Sequence, residues 1–428
     1  MTVESIIGSM KWVSTLSTRP SLEAAVEEVA QKAQALLQTA PHLGFVFISS
    51  AFASEYSRLM PLLREHFPDL PMIGCGGSGV IGMNQKAQAQ EVEGEPALTL
   101  TLASLPDVKV HTFHLEAEDL PDPDSSPDAW INVIGVAAAD QPHFVLLADP
   151  FSAKVNDLLQ GLDFAYPGAT KVGGLASGRV ANGNNGLFCN HRLYRQGTVG
   201  VALSGNIVLE TIVAQGCRPI GQPFWVTEGE RNILLGLEEQ AATNPIPRGG
   251  GALVSQKRTP LEVLQELIQS LSEEDRQLAQ HSLFVGVAQN EFKQDLEQGD
   301  FLIRELLGVD PRVGAIAIGD RIRPGQRIQF HLRDADASAE DLETLLERYQ
   351  QVNQVSASPP AGALMFTCVG RGEGLYGESN FDSRLFSRYL PDVPLSGFFC
   401  NGEIGPVGGN SFLHGYTSIF GICRQHKS

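Results

Sequence analysis

Positive charge is what this chain is short of: 31 Lys and Arg stand against 49 Asp and Glu in 428 residues, a formal net charge of −18. Nucleic acid and anionic membrane surfaces require clustered basic side chains to release counterions or meet anionic headgroups, so neither is expected as a partner. Long apolar runs are missing too. The best stretch, Ile131 to Leu147, is interrupted by Asp140, Gln141, Pro142 and His143, short of the roughly 18 uninterrupted residues a spanning helix needs. No membrane insertion is expected. The start, MTVESIIGSMKW, has no basic segment followed by an apolar one, and a cytoplasmic location is therefore expected.

Cysteine is scarce. The six (Cys75, Cys189, Cys217, Cys368, Cys400 and Cys423) include no pair closer than Cys400 and Cys423, so they supply neither a disulfide framework nor a zinc-ligand spacing, and reduced thiols are expected. His111 and His114 lie three apart in a strand-like segment, on opposite faces, and cannot share one metal. No metal or cofactor is expected. Hydrophobic content of 43% with 19% charged residues excludes disorder, and the length predicts two or three domains.

What is present is a repeated unit: an apolar strand, an amphipathic helix, and a second strand that runs into glycine. It reads GFVFISS to PMIGCGGSG from Gly44, HFVLLADP to TKVGGLASG from His143, and GALMFTCVG to VPLSGFFCNGEIG from Gly362. A strand, crossover helix and strand favour a right-handed parallel pair, with its loops at the strands' carboxyl ends, where open α/β sheets bind ligands. Around these units PALTLTLASL, VKVHTFHL and GLFCNHRLYRQGTVGVALSGNIVLETIVAQG alternate as antiparallel strands. The fold class is therefore α/β with mixed α+β character: repeated strand-helix-strand units in mixed parallel and antiparallel sheets, arranged as two similar halves.

Pro219 to Pro223 is the first strong break, and a second weak zone runs from Thr243 to Pro260. The boundary is placed near Gly221, giving domains 1–221, with two units, and 222–428, with the third unit. HSLFVGVA to RVGAIAIGD reads as a decayed fourth copy, although Phe301 to Leu307 is rich in strand formers. Ser21 is expected to cap the helix that begins at Leu22, Ser152 the helix near Ala153, and Ser338 with Asp341 a longer helix.

GCGGSG at Gly74 to Gly79 matches G-x-G-x-x-G, but VIGMNQKAQAQEVEG, directly after it, carries no helical apolar stripe, so close packing of backbone on backbone is the preferred reading. The third unit is chemically richest. Its loops offer Cys368, Arg371 and Glu373, then Cys400, Asn401 and Glu403, and SFLHGYTSIF adds His414 and Tyr416. A guanidinium matches a carboxylate and a carboxylate an ammonium, so these ligand-binding candidates suit an amino-acid-like ligand. Two plainer readings stay open: Arg371 salt-bridges Glu373 or Glu403, or Cys400 is a nucleophile with His414 as its base.

GFFCNGEIGPVGGNSFLHGYTSIF, with FLIRELLGVDPRVGAIAIGDRIRPGQRIQFHLRDADASAEDL, KVGGLASG and PMIGCGGSG, resembles the FIST family, named for F-box and intracellular signal transduction proteins. The resemblance implies an N-terminal FIST part to about Gly221 and a C-terminal FIST part after it. It also implies a sensory input module for a small ligand such as an amino acid. No output segment is visible, so a separate signalling output protein is the expected partner. The expected function is a non-enzymatic small-ligand sensor. The alternatives are a hydrolase or transferase using Cys400, or an interaction scaffold.

Overall fold

The continuous apolar runs Leu43–Ser49, His143–Ala148 and Gly362–Cys368 are buried along almost their whole length, as strands covered on both faces must be. Each pairs in parallel with the second strand of its unit: Met72–Gly77, Lys171–Leu175 and Leu395–Cys400. The computed structural model describes residues 8–178, 185–239, 257–290, 293, 295–297, 299–353 and 358–426. It forms two compact bodies, residues 1–214 with 342–428, and residues 215–341.

The first body contains three six-stranded sheets with one common order. In each, a leading strand pairs with a closing strand, the closing strand with the first strand of the unit, and the first with the second; a hairpin completes the edge. The leading strands are Lys11–Ser17, Val108–Leu115 and Val208–Ala214, and the closing strands are Leu98–Ser104, Thr198–Gly205 and Ser418–Arg424. The chain thus contains three tandem repeats. The third carries residues 215–341 between its leading strand and the rest.

The hairpin is never the repeat's own. Gly79–Met83 with Ala89–Glu93, from the first repeat, pairs with Leu395–Cys400 of the third. Glu403–Val407 with Asn410–His414, from the third, pairs with Lys171–Leu175 of the second. Leu187–Cys189 with Arg192–Tyr194, from the second, pairs with Met72–Gly77 of the first. The exchange closes in a ring of three.

One glycine recurs at the same register of every parallel pair. Gly74 lies opposite Val46, Gly173 opposite Leu146, and Gly397 opposite Met365. A Cβ on any of them would sit 1.9, 1.8 or 1.7 Å from the facing carbonyl oxygen, so backbone meets backbone with no space for a side chain. The sheets enclose a shared apolar centre in which Phe47 stacks on Phe398 at 5.2 Å and Phe366 meets both edge-on. Helices cover the outer faces. Leu22–Leu37, capped by Ser21 as expected, and Tyr56–His66 cover the first. Pro127–Ile134 and Val155–Ala165 cover the second, and Phe381–Tyr389 with the later turns of Ala335–Asn353 covers the third.

The second body is a closed antiparallel barrel in the order Arg218–Glu230, Ile233–Glu239, Ala315–Ile318, Phe301–Asp310, Leu283–Ala288 and Arg327–Leu332. Helices Pro260–Ser270 and Glu273–Ala279 precede Leu283–Ala288 in the chain. Several expectations change here. HSLFVGVA and RVGAIAIGD form antiparallel strands on either side of Phe301–Asp310, with no crossover helix among the described residues, so they are not a parallel fourth unit. The break at Pro219 to Pro223 is a register irregularity inside strand Arg218–Glu230, between Ile220 and Phe224. The compact bodies are therefore not residues 1–221 and 222–428. Residues 243–256 of the weak zone lie outside the described residues. Ser338 sits inside helix Ala335–Asn353, donating to the Gly216 carbonyl at 3.0 Å, while Asp341 accepts from the Gly216 N–H at 2.7 Å. The first turn is held by Asp334, whose Oδ1 accepts from the Ala337 N–H at 2.6 Å.

Candidate functional site

The glycine-rich turns at the carboxyl ends of the three parallel pairs do converge, and they bond to one another. The Ser177 N–H donates to the Gly76 carbonyl at 3.1 Å and the Ser78 N–H to Ser177 Oγ at 2.8 Å. The Leu175 N–H donates to the Gly402 carbonyl at 2.8 Å, and the Asn401 N–H returns to the Leu175 carbonyl at 3.0 Å. Ser177 Oγ donates to the Phe399 carbonyl. These N–H groups point at the protein's own acceptors, where an open recess would have aimed them at a ligand. The glycines serve close packing: a Cβ on Gly174 would lie 2.4 Å from Cys400 Sγ, and one on Gly76 2.3 Å from the Tyr56 hydroxyl. Asp149 and Ser152 are likewise bound internally. Asp149 accepts from the N–H groups of Phe151 and Ser152, the Ser152 hydroxyl and Asn185 Nδ2. Helix Val155–Ala165 starts after Lys154, so Ser152 is not its cap.

At the third parallel pair the candidate residues form one connected cluster. Cys368 and Cys400 are register partners, the Val369 N–H donates to the Cys400 carbonyl at 3.0 Å, and the Arg371 N–H donates to the Cys368 carbonyl at 2.9 Å. Arg371 is wholly buried. Its Nε donates to Asp382 Oδ2 at 2.8 Å and its Nη2 to Asp382 Oδ1 at 3.0 Å. Nη2 also reaches the Tyr376 hydroxyl at 2.5 Å, which donates to Asp382 Oδ1 at 2.9 Å, and Nη1 reaches the Tyr416 carbonyl at 3.4 Å. Arg371 is thus a structural tie, not a fork held out to a ligand carboxylate. The carboxylate it grips at two points is that of Asp382. The sequence disguises Asp382 as an ordinary first-turn acid of helix Phe381–Tyr389.

Glu403 is buried, and its Oε2 accepts from the Thr417 N–H at 3.1 Å. His414, its partner across the hairpin, directs Nε2 to the Gly405 carbonyl at 3.1 Å. Cys400 is fully buried with Sγ 3.5 Å from the Phe398 carbonyl. Burial first, and then the charge of Glu403, hold its thiol well above the usual range. That environment opposes the thiolate a cysteine nucleophile needs. Asn401 and Glu373 are exposed and Tyr416 is half-buried. Tyr416 has φ +60°, a left-handed conformation uncommon for a bulky residue.

Glu373 belongs to a different contact. Its N–H donates to Glu93 Oε1 at 3.0 Å, and Glu93 belongs to the hairpin donated by the first repeat. The same hairpin docks on helix Phe381–Tyr389 through a reciprocal pair of bonds: the Glu91 N–H donates to Asn380 Oδ1 at 2.6 Å, and the Ser383 N–H to Glu91 Oε1 at 2.8 Å. A carboxylate thus meets the donors at a helix start. Beside this junction lies a cleft of about 350 Å³ lined by Thr18, Gln90, Glu91, Val92, Glu93, Glu95, Pro96, Glu373 and Ser379. Glu91 is 5% exposed. Burial, and then the charge of Asp382, push its carboxyl up to about 7. Glu93 is raised as well, by burial first, with the N–H of Glu373 opposing and the Glu373 charge adding. Among the described residues no three His, Cys, Asp or Glu side chains are grouped to hold a metal ion. The alternation of Glu91, Glu93 and Glu95 in EVEGE is the one sequence signal for this cleft, and weighing that segment only as a nucleotide loop passes over it.

No described helix is long and apolar enough to cross a membrane. Residues 42–240 match the family model of the FIST N domain and residues 260–406 that of the FIST C domain. An uncharacterized protein of Mycobacterium tuberculosis is 34% identical over 408 residues, covering 95% of this chain and 98% of that protein. An uncharacterized protein of Mycobacterium bovis is 32% identical over 413 residues, covering 96% and 97%. F-box only protein 22 of Homo sapiens is 40% identical over 80 residues, which are 15% of this chain and 20% of that one.

Proposed function

Because the chain belongs to the FIST family, whose domains are sensory modules of signal transduction, we propose that it is a cytoplasmic, non-enzymatic sensor of a small metabolite. The ligand carries an ammonium group, as an amino acid or a related metabolite does, and the signal passes to a separate output protein. One observation carries this reading. The cleft beside Glu93 and Glu373 lies on the contact by which the hairpin of the first repeat docks on the third. A ligand there bears on the bonds that join two repeats, so occupancy has a route to conformation. The site joins Glu373, already a candidate from the sequence, to Glu91 and Glu93. Of the other sequence candidates, Cys368, Arg371, Cys400, Asn401, Glu403, His414 and Tyr416 do not line this cleft.

Thermal-shift screening of the twenty amino acids and common metabolites tests it. A ligand that binds only the folded state raises apparent stability by RT ln(1 + [L]/Kd). At least one compound is expected to give a saturable shift that Glu93→Gln diminishes. A screen in which nothing stabilises the protein would remove the sensor reading.

A further inference from the structure

The cleft at the hairpin junction is one-sided in charge. Four carboxylates line it, Glu91, Glu93, Glu95 and Glu373, with no Lys, Arg or His among its lining residues. The nearby cation, Arg371, is engaged elsewhere: its Nε and Nη2 donate to Asp382 and its Nη1 to the Tyr416 carbonyl. Glu91 adds a second, independent indication. It is 5% exposed, its Oε1 accepts from the Ser383 N–H with the Ser383 side chain also acting on the carboxyl, and its Oε2 has no partner at hydrogen-bond geometry among the described residues. A buried carboxylate oxygen without a donor is costly, and a donor arriving from outside removes that cost.

We propose that this cleft binds an organic polycation, a linear diamine or polyamine, with its ammonium groups on Glu91 and Glu93 and with Glu373 at the rim. This rests on the sensor reading and names the chemistry of its ligand. The carboxylates do not converge closely enough to hold a metal ion, so the match is a cation whose charges are spread along a chain. A zwitterion matches less well, because the lining offers nothing for its carboxylate. The volume of about 350 Å³ suits a small metabolite. Gly372 makes the arrangement possible: with φ +64° it lets the Glu93 carboxylate approach to where a Cβ would stand only 2.3 Å from Oε1.

The groups acting on Glu91 are Asp382, Asn380 and Ser383 of the third repeat, with Glu93 on its own strand and Glu373 beyond it; Asp382 in turn holds Arg371 and Tyr376. The charges of Asp382 and Glu93 both act to raise the Glu91 carboxyl. That raised carboxyl must ionise to meet an ammonium. Diamine affinity therefore rises from about pH 6 to about pH 8.

Isothermal titration of the full chain with 1,4-diaminobutane in about 150 mM KCl decides the matter, with 4-aminobutanoate and magnesium chloride as comparisons. Saturable diamine binding is expected, about tenfold weaker for 4-aminobutanoate and about tenfold weaker in Glu93→Gln. Glu373→Gln, an exposed change that leaves folding intact, is expected to weaken it less. Absent diamine binding, or equal binding by wild type, Glu93→Gln and Glu373→Gln, overturns the proposal. Tighter binding of magnesium than of diamine overturns it as well. If a zwitterionic or anionic metabolite stabilises wild type and Glu93→Gln alike, the cation site and the placing of the ligand on Glu93 fall, and small-ligand sensing at another place stands. If diamine and the whole metabolite set are silent, both fall.

Discussion

Asp382 holds Arg371 at two points, Nε on Oδ2 and Nη2 on Oδ1, with the guanidinium fully withdrawn from solvent and the carboxylate 2% exposed. Breaking such a pair from one side leaves an uncompensated buried charge, which costs about 3–5 kcal/mol. Arg371→Met and Asp382→Asn are each expected to lower stability in urea by that order. The double variant is expected to lose far less than the sum. Additive losses in the double-mutant cycle would show that the two residues do not act as a pair.

The glycine set into each parallel pair gives a second expectation. Gly173→Ala and Gly397→Ala place a methyl on the carbonyl oxygens of Leu146 and Met365, where backbone cannot yield, and a loss above about 4 kcal/mol or failure to fold is expected. Gly374→Ala is the control, since its Cβ meets nothing within 4 Å. Circular dichroism melts separate the cases, and equal melting temperatures for Gly173→Ala and Gly374→Ala would refute the close-approach account.

Two buried groups make stability depend on pH in opposite senses. Glu91 is held at about 7 in the folded chain, above its ordinary 4.5. Its contribution is therefore complete below about pH 4.5 and fades as pH rises through 7, by an amount on the order of 3 kcal/mol. Glu91→Gln is expected to flatten that decline in unfolding midpoints measured from about pH 5 to about pH 8.5. An undiminished decline in the variant would place its origin elsewhere.

His331 in the barrel works the other way. Burial holds it at about 4, below its ordinary 6.5, so its contribution is complete above pH 6.5 and disappears as pH falls towards 4. Hydrogen exchange of strand Leu283–Ala288, which pairs with the strand carrying His331, is expected to accelerate below about pH 6 in wild type. In His331→Gln the acceleration is expected to shrink.

Iodoacetamide is expected to leave all six cysteines nearly untouched in the folded protein, since each is buried as a thiol outside any disulfide, and Cys400 is raised well above the usual thiol range. Labelling by mass spectrometry at neutral pH checks this. Selective rapid modification of Cys400 would restore a nucleophile to consideration.

The three strand-helix-strand units are legible in the sequence because a parallel pair needs a crossover helix, and that spacing is written locally. The barrel is not. HSLFVGVA, FLIRELLGV and RVGAIAIGD carry strand chemistry but nothing that states pairing partners, so an antiparallel closure and a decayed parallel unit look alike in one dimension. The hairpin from Gly79 to Glu93 shows the same limit. Its two strands are neighbours in sequence, yet its outer partner is Leu395–Cys400. At the site, glycine marks special positions correctly, but close approach to a carbonyl and close approach to a ligand place the same demand on the residue. Arg371 stands out in the sequence as chemically committed, and it is. Its commitment to Asp382 lies hidden because an acid in the first turn of an amphipathic helix needs no buried cation to explain it.

The ring of exchanged hairpins governs how this protein can be made. Residues 403–414 complete the sheet of the second repeat, so that sheet stays unfinished on the ribosome until residue 414 has emerged. No repeat excised alone retains its own edge. Nascent chains therefore carry open strand edges until that hairpin is made, a period in which chaperone cover matters more than final stability.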